Sequence, residues 1–333
     1  MKNVVYKHSL KIALALLVAG CASKPATIQP DAEYRNTGGI FERSYNYSAD
    51  RLTGIYANSQ PVHNFIQHMV REHGFSESYL NGLFSRANRL ESVIRLEGDG
   101  APTHHGANKP AQTKVGGWTH YRKQFITEAH INHGVEFWSS NADAVQKASA
   151  TYGVDPEYIV AIIGVETFFG RNVGKTRTFD ALTTLAFDTH RRARFFMTEL
   201  ENFLLMTREE GYEPLKPVGS WAGAMGLGQF MPSSFRTLAV DFNQDGHRDL
   251  WHQHDAIGSV AHYFARNGWQ NNRPVAEQTK GKHGGPIIAL STNRGNEYWQ
   301  VHPNFSVIKK YNNSDKYAMA VHQLAQAIKR RHL

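Results

Sequence analysis

The chain has 333 residues, a single cysteine and a formal charge of +8. One cysteine excludes an intrachain disulfide, so about 280 residues after the leader and tether must be held by an apolar core, as one large or two intimate domains. A basic surface can serve nucleic acid, anionic lipid or an acidic polymer. No basic run is interleaved with aromatics, and the export signal described next removes nucleic acid from that set.

Met1 to Lys11 is basic, Ile12 to Gly20 is apolar, and the apolar run stops at Cys21. That is the order of a secretory signal peptide, predicted over 1–20. The run is about half the ~20 residues a helix needs to cross a bilayer, and Ser23, Lys24 and Pro25 follow it, so a permanent span is the weaker reading. Val18-Ala19-Gly20-Cys21 resembles the lipobox of bacterial lipoproteins, which implies cleavage before Cys21 and acylation of that residue, a firm membrane anchor. Alanine rather than aspartate at position 22 implies, by the same resemblance, the periplasmic face of the outer membrane. Lys2, Lys7 and Lys11 leave with the leader, and the mature chain is still basic.

Residues 21–50, with Pro25, Pro30, Gly38 and Gly39, read as a tether. Val62, Phe65, Ile66, Met69 and Val70 then recur at helical spacing, and a second helix from Ser76 carries Tyr79, Leu80 and Leu83. Together they predict a helical subdomain over 51–117, closed by a loop rich in Gly, Pro and His. Helical spacing returns over Asn141–Tyr152, Pro156–Phe169, Arg191–Arg208, Asp255–Asn267 and Asp315–Arg330, with Gly153 and Gly268 as stops. Strand-like alternation is confined to stretches such as Ile287–Leu290 and Phe305–Ile308, and 269–304 reads as an inserted loop or small β excursion. The expected fold is mainly α.

Asp155-Pro156-Glu157 is a strong helix start, with an N-cap acid and proline at the first position. Ile159, Ile162 and Ile163 mark one face of that helix, and the next position of the stripe is Glu166. An acid in an aliphatic stripe is desolvated, its pKa rises, and it suits general acid catalysis. The plainer reading is an acid near a helix end that pairs with Arg171 or Arg191. A second segment, Gly219 to Ser234, intersperses four glycines with Ser220, Trp221 and Gln229. Glycines would let a ligand approach the backbone, Ser220 and Gln229 would bond its hydroxyl or amide groups, and Trp221 and Phe230 would give flat apolar surface. Alternatively the segment is a turn that packs helices together.

Asp241-Phe-Asn-Gln-Asp-Gly-His starts like an EF-hand loop, with side-chain oxygens at positions 1, 3 and 5, glycine at 6 and a backbone carbonyl at 7. Position 12 is His252 rather than glutamate, and Asp255 lies three residues beyond. The expected Ca2+ ligands over 241–255 are Asp241, Asn243, Asp245, the His247 carbonyl and Asp255, in a structural role. The 18 histidines contain no His-Glu-x-x-His, and His104-His105 has no matching ligand cluster, which argues against a zinc hydrolase.

Gly164-Val-Glu-Thr-Phe-Phe-Gly170 and Gly219 to Ser234 resemble the two signature segments of the membrane-bound lytic murein transglycosylase B family, and further matching stretches follow in order from about Trp118 to the C-terminus. The resemblance implies a lysozyme-like helical core over 118–333 with added helical and small β parts. It further implies lytic cleavage of peptidoglycan glycan strands without a catalytic cofactor. It places the catalytic glutamate at Glu166 and substrate contacts at Ser220, Gln229, Asn312, Tyr317, Tyr121 and Tyr263. An arginine pair for the stem peptide matches Arg191 and Arg192. Peptidoglycan, an acidic polymer, fits the predicted address. A hydrolytic muramidase and a non-catalytic peptidoglycan-binding lipoprotein are the competing readings.

Overall fold

The computed structural model describes residues 47–98, 116–280 and 285–333. The leader, Cys21 and His104-His105 lie outside them, as does most of the expected tether. Tyr47 is already buried, and its hydroxyl donates to Glu213 (2.9 Å), so packed chain begins ahead of the expected boundary at residue 50.

Three helices open the fold: α1 (Gln60–His73), α2 (Glu77–Phe84) and α3 (Glu91–Glu97). Helix α1 buries Val62, Phe65, Ile66 and Met69, the face marked by the periodicity, and stops at Gly74 in the left-handed conformation. Ser76 caps α2 by accepting from the Tyr79 amide. The unit shares one continuous core with the rest of the chain. Phe65 meets Phe187 at 5.7 Å and Phe84 meets Phe179 at 5.1 Å, while the Asn88 and Leu90 amides donate to Asp180 and Thr184.

Ten more helices follow among the described residues. They are α4 (Gly117–Arg122), α5 (Glu128–Ser140), α6 (Ala142–Tyr152), α7 (Pro156–Thr167), α8 (Thr178–Phe187), α9 (Ala193–Glu210), α10 (Pro232–Leu238), α11 (Gln253–Arg266), α12 (Pro303–Tyr311) and α13 (Asp315–His332). Helix α7 is central: α5, α6, α11 and α13 pack around it, and every residue from Glu157 to Thr167 is buried. Gly164 permits this crowding, because a Cβ there would lie 2.5 Å from the Phe169 ring. Proline stands at the first position as expected, but Asp155 does not cap the helix with its side chain. Its carboxylate instead accepts from the Trp269 indole (2.8 Å) and the Asn272 amide (3.1 Å), which ties the start of α7 to the inserted segment.

That segment forms a small antiparallel sheet of β3 (Ala276–Thr279), β4 (Ile287–Thr292) and β5 (Gly295–Val301), with β5 in the middle. Ile287–Leu290 is in a strand as expected. Phe305–Ile308 is instead helical, within α12, where Phe305 and Ile308 share a buried face with Tyr311. Four residues cannot separate a period of 2 from one of 3.6. Helix α8 escapes periodicity because Thr178 to Ala186 is buried throughout, its polar Asp180 and Thr184 bonded to the Asn88 and Leu90 amides rather than turned to solvent. A two-residue ladder, β1 (Thr176–Arg177) with β2 (Val218–Gly219), joins the chain beyond α7 to the Gly-rich segment.

Candidate active site

Glu166 stands one residue before the end of α7 and is 6 % exposed. Beyond it Phe168 and Phe169 adopt positive φ (52° and 58°), rare for bulky side chains, and turn the chain out of the helix sooner than expected. The Glu166 Oε1 accepts a hydrogen bond from the Tyr317 hydroxyl, and Oε2 is buried without a partner among the described residues. Burial pushes the carboxyl up to about 8, against the opposing pull of the Tyr317 bond, so it carries its proton at neutral pH. The cations that would have made it an ordinary ion pair are engaged elsewhere: Arg171 contacts Glu136 (3.2 Å) and Arg191 contacts Glu97 (2.9 Å). Among the described residues, burial and the Tyr317 bond set the state of Glu166, and no second carboxylate does.

Four tyrosines, Tyr121, Tyr263, Tyr311 and Tyr317, lie close enough for the Glu166 charge to act on their hydroxyls, which burial already holds in the neutral form. They come from α4, α11, the end of α12 and α13. Ser314 caps α13 by accepting from the Tyr317 amide, and so aims that ring at the acid. Tyr311 is the member that sequence reasoning missed. Its ring lies 4.6 Å from that of Tyr263, and its hydroxyl donates to the Gly228 carbonyl (2.7 Å). Adjacency to Asn312 was the available signal.

The Gly228 to Tyr311 bond brings the Gly-rich segment to the acid, with Gln229 and Asn312 on either side of one contact. Gln229 also has positive φ, and its amide nitrogen donates to Val173 (3.1 Å) and Gly226 (2.9 Å), which leaves Oε1 as its unused group. The Asn312 side-chain amide, half-buried, makes no hydrogen bond among the described residues. The Ser220 hydroxyl accepts from the Ala222 (3.3 Å) and Ala224 (3.0 Å) amides, so it shapes its own turn. Several of the glycines answer internal crowding. A Cβ on Gly219 would lie 2.1 Å from the Ala224 carbonyl oxygen, and one on Gly226 (φ 67°) would lie 2.4 Å from Leu250. Phe230 is likewise core, 2 % exposed against Tyr263 and Tyr311, whereas Trp221 is half-buried as a surface ring must be.

Arg191 and Arg192 converge on the buried Glu97 of α3. Arg191 donates twice to Oε1 (3.1 and 2.9 Å), and Arg192 grips both oxygens. The pair therefore joins the helical subdomain to the core, with Arg191 about two-fifths exposed and Arg192 one-fifth.

In the 241–255 loop the backbone amides of Asp245, Gly246 and His247 donate inward to the side-chain oxygens of Asp241, Asn243 and Asp245. Gly246 has φ 95°, as the sixth position of such a loop requires. The Asn243 amide, first, and the His247 amide hold the Asp245 carboxyl below its ordinary range. Asp255 closes the loop from its far end. It is fully buried, and its carboxylate accepts from the Phe242, Asn243 and Asp249 amides. Its oxygens are not gathered with those of Asp241 and Asp245. A cavity of about 480 Å3 bounded by Trp138, Gln146, Pro156 and His332 contains none of the predicted site residues.

A helical core whose central helix delivers one buried carboxyl among tyrosines and side-chain amides has the architecture of a lysozyme-like protein. Residues 57–292 and 279–326 match the transglycosylase SLT domain family. The chain is 42% identical to membrane-bound lytic murein transglycosylase B of Escherichia coli (strain K12), over 95% of this chain and 96% of that one. Structures of the Escherichia coli lytic transglycosylase Slt35 in complex with bulgecin A and with calcium superpose with a TM-score of 0.78 at 42% identity, covering 87% of this chain and 98% of that one. SltB3 of Pseudomonas aeruginosa in complex with NAG-anhNAM-pentapeptide superposes with a TM-score of 0.68 at 25% identity, covering 81% of this chain and 79% of that one. The chain belongs to the membrane-bound lytic murein transglycosylase B family, and it is a peptidoglycan-cleaving lytic transglycosylase. No helix among the described residues is long and apolar enough to cross a membrane.

Proposed function

We propose that Glu166 serves first as the acid and then as the base of this cleavage. The observation that carries the reading is one carboxyl buried at the end of α7, pushed up to about 8 by that burial, with no second carboxylate acting on it among the described residues. Glycosidases that invert or retain by direct displacement pair two such groups. Protonated Glu166 donates to the glycosidic oxygen between N-acetylmuramic acid and N-acetylglucosamine as the C1–O bond breaks, and the leaving sugar departs as an alcohol. The electron-poor C1 is stabilised by the carbonyl oxygen of the substrate's own N-acetyl group, held by Asn312, Gln229 or Ser220. Ionised Glu166 then takes the proton of the C6 hydroxyl, and O6 attacks C1. The 1,6-anhydro ring closes without water, and the acid is regenerated in its protonated form. Tyr317 steadies the carboxylate in the second half, Tyr121 and Tyr263 line the sugar-binding surface, and the outer faces of Arg191 and Arg192 meet the acidic stem peptide.

Asp241, Asn243 and Asp245 with the His247 carbonyl form a hard oxygen donor set that fits Ca2+. Asp255 braces that loop through its three amide bonds and offers the second lone pair of Oδ2. The ion's role is structural, since the proton transfers need no Lewis acid. A lipid-anchored Cys21 places the enzyme on the periplasmic face of the outer membrane.

Mass spectrometry of muropeptides released from insoluble peptidoglycan by the mature protein and by Glu166→Gln tests the mechanism. Products one water lighter than hydrolytic ones, absent with the variant, are expected. Reducing-end products would make the enzyme a muramidase. Sedimentation with the sacculus, without release, would make it a binding protein.

A further inference from the structure

We propose that His68, His73 and Glu201 bind one Zn2+ ion, which clamps the N-terminal helices to α9 and takes no part in bond cleavage. His68 Nε2 lies 3.3 Å from one Glu201 oxygen and His73 Nε2 lies 2.7 Å from the other. The three ligand atoms lie within 4.8 Å of one another, and no other group of three His, Cys, Asp or Glu residues among the described residues does so. Two imidazole nitrogens and a carboxylate oxygen are a donor set that Zn2+ takes readily. With Zn2+ bonds of about 2.0–2.1 Å in tetrahedral array, neighbouring ligand atoms stand about 3.3 Å apart. The two histidines contact different Glu201 oxygens, so the carboxylate turns to present one of them to the ion, a small movement for a side chain 28 % exposed.

The surroundings favour a cation. Both histidines lie in the last two turns of α1, where unsatisfied carbonyls put partial negative charge. Glu72 is close enough to feel both imidazoles, although Arg71 is its main partner. The His73 backbone is held, since its carbonyl accepts from Arg208 (2.8 Å) and Gly74 closes the helix. The three side chains are 39 %, 24 % and 28 % exposed, so the ion can enter and keep a water as fourth ligand. The consequence is mechanical. With one cysteine the chain cannot cross-link itself through sulfur, whereas an ion held by His73 and Glu201 joins positions 128 residues apart. Such a closure restricts the unfolded chain as a long-loop disulfide would. It acts two residues from Glu199, whose carboxylate holds the Ser233 amide and hydroxyl at the end of the Gly-rich segment.

The full chain, solubilised in detergent with excess Ca2+, is dialysed against buffered Zn2+, and bound metal is counted by mass spectrometry. One Zn2+ per chain is expected, with a raised Tm and, after Co2+ substitution, the visible absorption of a tetrahedral site. His68→Gln, His73→Gln and Glu201→Gln each weaken binding by at least ~10-fold and abolish the Zn2+-dependent rise in Tm. Asp241→Asn leaves Zn2+ binding unchanged. If Glu201→Gln does not fold, the more exposed His68→Gln decides the matter, its metal-free Tm reporting its integrity. Equal Zn2+ binding by wild type and the histidine variants, loss of Zn2+ with Asp241→Asn, or no bound Zn2+ would each overturn the proposal. The remaining outcome would be that Glu201 simply accepts hydrogen bonds from two imidazoles.

Discussion

Replacing Glu166 by glutamine should abolish cleavage and yet stabilise the protein, by an amount that grows with pH. In the unfolded chain the carboxyl titrates near 4.5, and in the folded protein burial holds it at about 8. A folded pKa above the unfolded one means that the contribution of the group is full at acid pH and is lost as pH rises through about 8. Between about pH 5 and pH 9 the unfolded carboxyl is increasingly ionised while the folded one keeps its proton over most of the range. At 1.36 kcal/mol per pH unit of difference, wild type loses roughly 4 kcal/mol relative to the variant over that interval. The glutamine side chain of the variant cannot titrate, and it keeps a group to which the Tyr317 hydroxyl can donate. Urea unfolding of both proteins at several pH values measures the difference directly, because all other titrating groups cancel. A difference that changes by less than about 1 kcal/mol across the range would show that the carboxyl is not held protonated, and the acid role would lose its physical basis.

Tyr317→Phe removes the bond that favours the Glu166 carboxylate, so the alkaline limb of kcat/KM should move up by about 1–2 pH units; an unmoved limb would break the link between the two residues. Glu97→Gln removes the buried carboxylate on which Arg191 and Arg192 converge and should cost about 1–3 kcal/mol in denaturant unfolding, with loosening between α3 and α9 visible in hydrogen exchange. Ca2+ should raise Tm in wild type and not in Asp245→Asn, while the muropeptides released stay the same; a change in product chemistry on chelation would assign the ion a catalytic role. Trp269→Phe removes the indole donor to Asp155 and should destabilise the fold by about 1–3 kcal/mol, as measured by urea unfolding.

Much of the site was legible in the sequence because its signals are local. A proline-started helix with an acid in its aliphatic stripe points to Glu166, and the order of matched segments names the family. Short-range turn chemistry likewise marks the Asp241 loop, where Gly246 has the positive φ that the sixth position requires. What sequence could not supply depends on partners distant in the chain. The bond from the Tyr317 hydroxyl to Glu166 Oε1 joins residues 151 apart, and whether Glu166 is an ordinary ion pair or a buried neutral carboxyl depends on which arginines Glu97 and Glu136 have already taken. That Gly219 and Gly226 also make room for Ala224 and Leu250 is visible only in the packing. Asp155, Asp255 and Tyr311 each carry a residue type with several possible uses, and only the neighbours brought by folding select one of them. Spacing encodes the period and the caps of each element. Protonation, hydrogen-bond assignment and ligand geometry depend on burial and on contacts between elements, which the tertiary structure alone decides.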